Sequence, residues 1–501
     1  MTTNRTKRRR AAVNERKKAL REAVSFDAIR DRREQLWTTD NRSFDSSFNR
    51  TTRLTLIRYA RDEVYNDSYA FGAAKALATS VIGTKPQLQV LTDSGQDSTD
   101  SVTEKIERDF DRWSDEVGLG RKLRAMRFSK FVDGEAFCVM HFNDQLRNDV
   151  KLDITPVDAE RVTSNTNLPI KDPDFDVDGI TIDNWGNPVS YRVLRNHPGG
   201  NSFGVLANND ATDYPANLVC HWYNQTSSEM RRGIPEVTPA LKTFGFLRRY
   251  IYSVVRASEV AADIAMCLYS DNEDESFDSF STQVEKELDL KQPIVEHSFS
   301  RGTAVSVPFG MKVQQVKPEQ PASNFEMLVR ELLASAGAAV GLPAMIMLNT
   351  ARGQTYAGGR IELQEFYRFV NVEQKSCIES ILEPILAEWL KEWFLINNIS
   401  PKRMRNLRTK WQFDGFEHID PLKEASAQIY KIQANTSTLA TEYAKVGKDW
   451  LTEIRQRALE LKVIKELEEQ YGITMGANGG NPSNLSGAGN KGSETTDGDE
   501  E

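Results

Sequence analysis

From Pro235 to Leu268, the apolar residues Ala240, Leu241, Phe244, Leu247, Ile251, Val254, Val255, Ala262 and Ala265 recur every three or four positions. That is the period of one helix face. Wound at ~100° per residue, the same stretch gathers Lys242, Arg249, Tyr252, Arg256, Glu259 and Asp263 on the other side. A long helix charged along one side cannot be buried all round, so its polar face must meet water or something solvated. Past Leu268 the pattern changes. The acidic turn Asp271–Glu275 leads to the alternating runs Thr303–Val307 and Met311–Val316, which predict a small strand-rich insert. Ser323 and Glu326 then have capping-box spacing. Phe325, Leu328, Val329, Leu332, Ala336, Ala339 and Val340 predict a second helix that stops at Gly341-Leu342-Pro343. The chain goes out and comes back. A loop is expected over Ala344–Gly359, carrying Arg352, Gln354 and Thr355. A third helix follows from Ile361 toward Trp393, kinked by Pro384.

The other segments predict an α+β body. Residues 1–42 are rich in arginine and lysine, including Lys7–Arg10 and Arg16–Lys18. They read either as a solvated extension or as an arm that contacts nucleic acid, a scaffold or a neighbouring subunit. A helical stretch from Leu54 passes Gly83 into the strand Gln87–Leu91, and a helix is expected over Val102–Trp113. Phe131–Phe142 reads as a buried strand pair turning at Asp133-Gly134. Further strands are expected at Lys151–Ile154, Gly179–Ile182 and Val189–Val193. Arg403–Lys410 is basic and leads to Trp411-Gln412-Phe413, then to a helical bundle from Pro421 to about Glu469. The Gly-, Asn- and Ser-rich tail from Gly472 to Glu501 predicts disorder.

Composition limits the chemistry. The length of 501 residues allows about three domains. The net charge of -8 provides no global basic field to hold a duplex. That counts against a repressor more than against a conduit, because each phosphate neutralised adds affinity that a sliding channel should avoid. Cys138, Cys220, Cys267 and Cys377 lie far apart in apolar or helical contexts and read as buried free thiols. Asp174–Gly179 imitates the opening of an EF-hand loop, but Trp185 stands where the bidentate glutamate belongs, so a polar turn is expected. His197 and His221 lack partners at metal-ligand spacing, and no metal or cofactor is expected. Neither Gly-x-x-x-x-Gly-Lys-Ser/Thr nor Gly-x-Ser-x-Gly occurs, and no enzymatic activity is expected. Neither a signal peptide nor an apolar run of about 18 residues is found, so no membrane span is expected.

The order of segments resembles the lambda-like portal proteins of tailed bacteriophages. Arg232-Gly233-Ile234-Pro235 before the first long helix and Val340-Gly341-Leu342-Pro343 after the returning one resemble motifs of that family. So do Asn66–Tyr69 with Val81–Gly83, Ile182–Tyr191, Ile419–Glu424 and Ala444–Asp449, and the resemblance spans roughly Ser43 to Gln470. It implies a portal-type α+β fold with a basic arm at 1–42, a wing at 43–232 and a stem helix at 233–270. A clip would follow at 271–322, a returning stem helix at 323–343 and a tunnel loop at 344–359. A long wing helix at 360–400, a crown-like helical region at 401–470 and a disordered tail at 471–501 complete the division. The implied function is a twelvefold ring at one capsid vertex of the virion, assembled in the host cytoplasm. That ring passes double-stranded DNA and docks the terminase large subunit, head-completion and neck proteins, scaffold and major capsid protein. Arg249, Arg256, Arg352, Gln354 and Thr355 are the candidates for the DNA channel. The loop that carries the last three reads alternatively as a plain connector, and the arginines as inter-subunit or solvated charges. Two other functions fit the residues: a DNA-processing enzyme with unrecognised catalytic acids, and an oligomeric adaptor that never touches DNA.

Overall fold

Helices form first along the chain in the computed structural model, which describes residues 43–91, 101–164, 175–200, 210–263, 267–269, 312–314, 324–353, 355–399, 407–415 and 421–472. A short helix α1, Phe44–Ser47, precedes α2, Arg50–Asn66, whose N-cap Asn49 accepts the N–H of Thr52. The stretch expected as one helical run breaks at Asp67. Its carboxylate accepts the N–H of Ala70 at 2.8 Å and caps α3, Ser68–Ile82. Gly83, at φ 65°, ends α3 and leads to strand β1, Gln87–Leu91. Helices α4, Ser101–Glu116, and α5, Leu119–Asp133, follow, and then strand β2, Glu135–Phe142. The strand pair expected over Phe131–Phe142 is therefore a helix end and one strand. Gly134, at φ 87°, stops a helix as readily as it turns a hairpin, and the burial of Leu119, Leu123, Met126 and Phe131 decides for the helix.

Strand β3, Leu152–Val157, pairs antiparallel with β2. Next come β4, Asp176–Val177, β5, Ile180–Ile182, β6, Pro188–Leu194, β7, Ala211–Pro215, and β8, Val219–Tyr223. They form one sheet in the order β3-β2-β8 and another in the order β4-β5-β6-β7. The segment with EF-hand-like spacing is the turn between β4 and β5, made by Asp178 and Gly179 at φ 44° and 94°. No group of His, Cys, Asp and Glu side chains among the described residues could hold a metal ion. A small core joins Leu54 and Ile57 of α2 to Phe137, Val139, Ile180, Tyr191 and Val193. A larger one runs from α3, α4 and α5 to the helices described next. Cys138, Cys220 and Cys377 are buried free thiols.

The first long helix begins later than its apolar period suggests. Residues 232–237 run as extended and turn backbone, Thr238–Ala240 make one 3-10 turn, and α6 spans Leu241–Asp263. It also ends earlier than Leu268, because Cys267–Tyr269 form strand β9 and pair antiparallel with β10, Lys312–Gln314. That partner is distant in sequence, so local periodicity could not reveal it. Most of the predicted insert, including Asp271–Glu275 and Thr303–Val307, lies outside the described residues.

The returning helix α7, Phe325–Val340, packs on α6, with Tyr250 stacked on Phe325 at 5.7 Å. Its N-cap is Asn324, with no side-chain cap bond. The capping box expected from Ser323 starts outside the described residues. Gly341, at φ 76°, ends α7. Beyond it, the expected loop is partly helical: α8 spans Ala344–Met347, and α9, Tyr356–Cys377, starts as soon as Thr355 caps it. The kink expected at Pro384 takes the form of a π-helical segment, Ile378–Leu382, that passes into α10, Glu383–Ile396. Proline lacks the N–H for the regular ladder, and the widened turn just before it absorbs the mismatch. Strand β11, Arg408–Gln412, pairs antiparallel with β1 and ties the chain beyond α10 to the segment that follows α3. Helices α11, Pro421–Gln433, α12, Leu439–Lys445, and α13, Trp450–Tyr471, follow, and α13 has no buried residue. Among the described residues no helix is long and apolar enough to cross a membrane. The basic arm at 1–42 and the tail beyond 472 lie outside the described residues.

Asp67 is the hinge between α2 and α3, so Asp67→Ala should cost about 1 kcal/mol, the typical worth of an N-cap. A lowered urea midpoint at unchanged helical content checks this.

Candidate functional site

The segment Arg232–Glu236 fixes the root of α6 through two clusters of buried charge. Arg232 is 5% exposed. Its Nε donates to both Glu135 oxygens at 3.1 Å, and one Nη donates to Glu135 at 2.6 Å and to the Ala159 carbonyl at 3.2 Å. The other Nη donates to the carbonyls of Val162, at 3.1 Å, and Asp178. Glu135 also accepts from Arg53 at 3.2 Å and from the Gly233 N–H at 3.0 Å, and it bonds His221 Nε2 at 3.1 Å. Arg53 in turn pairs with Asp178. Only an arginine has enough fixed donors to span a carboxylate and three carbonyls at once.

The electrostatics follow from this geometry. Burial alone would push the Glu135 carboxyl up, but Arg232, the His221 hydrogen bond and Arg53 hold it well below the ordinary carboxylate range. Burial lowers the His221 pKa, against the opposing pull of Glu135, and the ring lies between Phe137 and Tyr223 at 4.2 and 4.3 Å. His221 is thus a structural histidine, as its spacing predicts. His197 is half-buried, with Glu160 at 3.8 Å.

At the other end of the segment, Glu236 meets Arg127 at 2.9 Å and Lys130 at 3.5 Å and accepts from Asn224 at 2.8 Å. Glu373 of α9 closes this second cluster, at 2.7 Å from Lys130 and 3.2 Å from Arg127. The Arg127 contacts are ionic rather than directed, since its guanidinium nitrogens meet no acceptor in hydrogen-bonding geometry. Burial raises the Glu236 pKa, and Arg127 and Lys130 outweigh it, so the net direction is down. Between the clusters the chain runs backbone to backbone. A Cβ on Gly233 would fall 2.1 Å from the Gly134 carbonyl oxygen, and one on Gly134 would fall 2.2 Å from the Ile234 carbonyl carbon. The strap therefore joins α2, β2, α5 and α9 to the start of α6.

The channel candidates lie elsewhere. Arg249 and Arg256 are exposed on α6, in line with exposed Lys242 at seven-residue spacing, and Arg256 pairs with Glu259 at 3.3 Å. Arg352 is exposed at the corner between α8 and α9. Its N–H donates to Thr350 Oγ1 at 3.3 Å, and its carbonyl accepts from Arg330 at 3.1 Å. Thr355 spends its hydroxyl oxygen on the Gly358 N–H at 3.1 Å as the cap of α9. Gln354 lies outside the described residues. Among the described residues no hydrogen bond or ion pair joins the α6 arginines to this corner. Sequence reasoning missed the strap partners Arg53, Glu135, Arg127 and Glu373. The available signal was charge in apolar surroundings: Arg53 lies on the buried row with Ile57, Ala60 and Val64, and Glu135 stands directly before the apolar run Ala136–Met140.

This chain belongs to the lambda family of phage portal proteins, whose family model it matches over residues 30–374. The family is generally structural, and its standard role is as a conduit for DNA. The chain is similar to a probable portal protein of Halomonas phage phiHAP-1, at 23% identity over 448 residues, covering 85% of this chain and 84% of that protein. Among solved structures it is similar to a chain in the neck of an empty GTA particle, with TM-score 0.44, 13% identity, and 79% and 93% of the two chains covered. Another is an HK97-family phage portal protein from Corynebacterium diphtheriae, with TM-score 0.29, 15% identity, and 61% and 85% covered.

Glu135 carries its charge in the fold at a depressed pKa. Its contribution is present above the unfolded carboxylate value of about 4.3 and fades as pH falls through and below it. His221 acts in the same direction: below about pH 6.5 the unfolded ring binds a proton that the folded ring resists. Stability should thus fall on acidification. Glu135→Gln should cost about 3 kcal/mol at neutral pH by leaving Arg232 and Arg53 underpaired. Urea titrations should show that loss and a shallower decline for the variant between about pH 5 and 3.

Proposed function

We propose that this portal chain acts as one of twelve copies in a ring at a capsid vertex of the virion, through which double-stranded DNA enters and leaves. The reading rests on family membership together with one observation: α6 packs on α7 through Tyr250 and leaves Lys242, Arg249 and Arg256 in an exposed row, interleaved with exposed Phe246 and Tyr252. The structure around that row supports it, because the strap fixes the direction in which α6 leaves the body. Repeated around an axis, one row per copy gives a belt of cations that attracts phosphate without reading bases. Few cations per copy suit a conduit, since each phosphate contact strengthens binding in a salt-dependent way.

Under this reading residues 43–232 form the wing, α6 and α7 the stem, and 271–322 the clip that docks the terminase large subunit and later the neck proteins. Residues 344–359 serve as the tunnel loop and 401–470 as the crown. Scaffold and major capsid protein contact the outer body, and assembly takes place in the host cytoplasm. Thr355 serves the tunnel loop by ordering it, whereas Arg352 and Gln354 supply donors to phosphate.

Purified protein should form closed rings with a central hole in negative-stain images. Arg352→Ala with Gln354→Ala should leave those rings intact and reduce packaged DNA. Removing Arg249 and Arg256 should lower the salt slope of DNA retention by about 0.9 for each phosphate that is no longer neutralised. Packaging and retention at the unaltered level in both variants would refute the channel assignment.

A further inference from the structure

Two buried thiols face each other across a strand pair. Cys138 of β2 and Cys220 of β8 are directly opposite in the antiparallel register. Their neighbours Phe137, Val139 and Val219 enter the small core, whereas both cysteines enter the large one, so the two side chains leave the sheet on the same face. Opposed residues of an antiparallel pair have Cα atoms about 4.5 or 5.5 Å apart, according to whether the pair exchanges hydrogen bonds. Both spacings fall within the roughly 4.4–6.8 Å that a disulfide bridges. The backbone thus already holds this pair at bridging distance.

The pair has a third neighbour. Cys377, at the end of α9, lies in the same core, and the Cys220 thiol donates to the Ile381 carbonyl of the π-helical segment at 3.9 Å. Cys138 and Cys377 have no exposed surface, and Cys220 is 1% exposed. The neighbouring Cys138 thiol, together with burial, pushes the Cys220 thiol up, and burial pushes the Cys377 thiol up to about 12. Few thiolates are present in the closed fold, so exchange there is slow. Access comes from the sheet order. β8 is an outer strand in β3-β2-β8 and can part from β2 in a local opening without breaking the β2–β3 pairing.

We infer that Cys138 and Cys220 form a disulfide in oxidising surroundings, and that this bond staples β8 to β2. In exchange with a small disulfide, the Cys220 thiolate attacks one sulfur and releases one small thiol. The Cys138 thiolate then attacks the Cys220 sulfur of the mixed disulfide and releases the second. The two protein protons end on the two small thiols; the protein pair is oxidised and the small disulfide reduced. The bond closes a loop of about 80 residues, a constraint that acts chiefly on the unfolded chain. That loop takes in β3 to β7 and so the whole second sheet. Glu135 and His221, which stand near the bond on the two strands, are held in register by it. Disulfides persist outside cells and are rare in reducing compartments, so the staple closes after the chain has left the cell in which it folded. That timing rests on the virion reading, whereas the bond itself does not.

Oxidation of the full chain tests this. The reduced protein is incubated with excess oxidised glutathione at about pH 8.5, the ordinary thiol pKa, below its urea transition, and is then alkylated and digested. The count of free thiols should fall from four to two, and mass spectrometry should find the Cys138 peptide joined to the Cys220 peptide. The oxidised chain should have a higher urea midpoint than the reduced one, and dithiothreitol should reverse both changes. Cys377→Ala should keep the link and the midpoint shift, whereas Cys138→Ala and Cys220→Ala should each abolish them. The peptide map of the unaltered chain decides the site whether or not these variants fold. A Cys220–Cys377 link, glutathione left on either thiol without a link, or four free thiols after oxidation would overturn the inference. A link formed in the isolated chain but missing from chain recovered from extracellular particles would overturn the timing and leave the bond standing. None of these outcomes bears on the ring reading, which the negative-stain images decide.

Discussion

The carboxylate of Glu135 holds more of this structure in register than any other group. It lies at the start of β2 with no solvent exposure and is met by Arg53 from α2, Arg232 and Gly233 from the strap, and His221 from β8. Removing an ion from water costs several kcal/mol, which only close opposite charges and directed hydrogen bonds offset. A buried carboxylate with this many partners tolerates few alternative arrangements. The orientation of α6 follows, because the residues just before it are part of the same cluster.

The second cluster, Arg127 and Lys130 with Glu236 and Glu373, fixes the strap at its other end. It reaches α9, so the helix that follows the out-and-back pair is tied to the same root. Lys130 also lies 4.8 Å above the Trp222 ring, whose Nε1 donates to Ser376 at 3.0 Å. Each cluster balances two cations against two acids, the arrangement in which buried charge is tolerated. Between them, Gly134 and Gly233 let two backbones touch where any side chain would intrude. The root of the long helix is thus held by both clusters and by the close backbone approach between them.

Away from that root the fold leaves much apolar surface uncovered. Phe246, Tyr252 and Val255 on α6, Met327 on α7 and Leu459, Leu461 and Val463 on α13 are exposed. Surfaces of this kind on several elements of one chain are what repeated neighbours would cover. The charged pairs on these helices, such as Arg256 with Glu259 on α6 and Arg457 with Glu460 on α13, are exposed and local. They contribute little to stability and leave the faces soluble.

Local signals carried a large part of this structure. The periods of α6, α7 and α9, the alternation of β5 and β6, the polar turn at Asp178-Gly179 and the stop at Gly341 follow from side-chain spacing and glycine conformation, and both are properties of neighbouring residues. The order of these segments was also enough to expose the portal resemblance. Tertiary structure alone decided where local signals tie or conflict. Gly134 ends a helix instead of turning a hairpin, because the row Leu119–Leu123–Met126 finds a core to enter. Cys267–Tyr269 leaves the helical period because Lys312–Gln314 offers a strand partner. Above all, the meeting of Arg53, Glu135 and Arg232 could not be read from spacing, since these residues are separated by 82 and 97 positions and only the packed chain brings them within hydrogen-bonding reach.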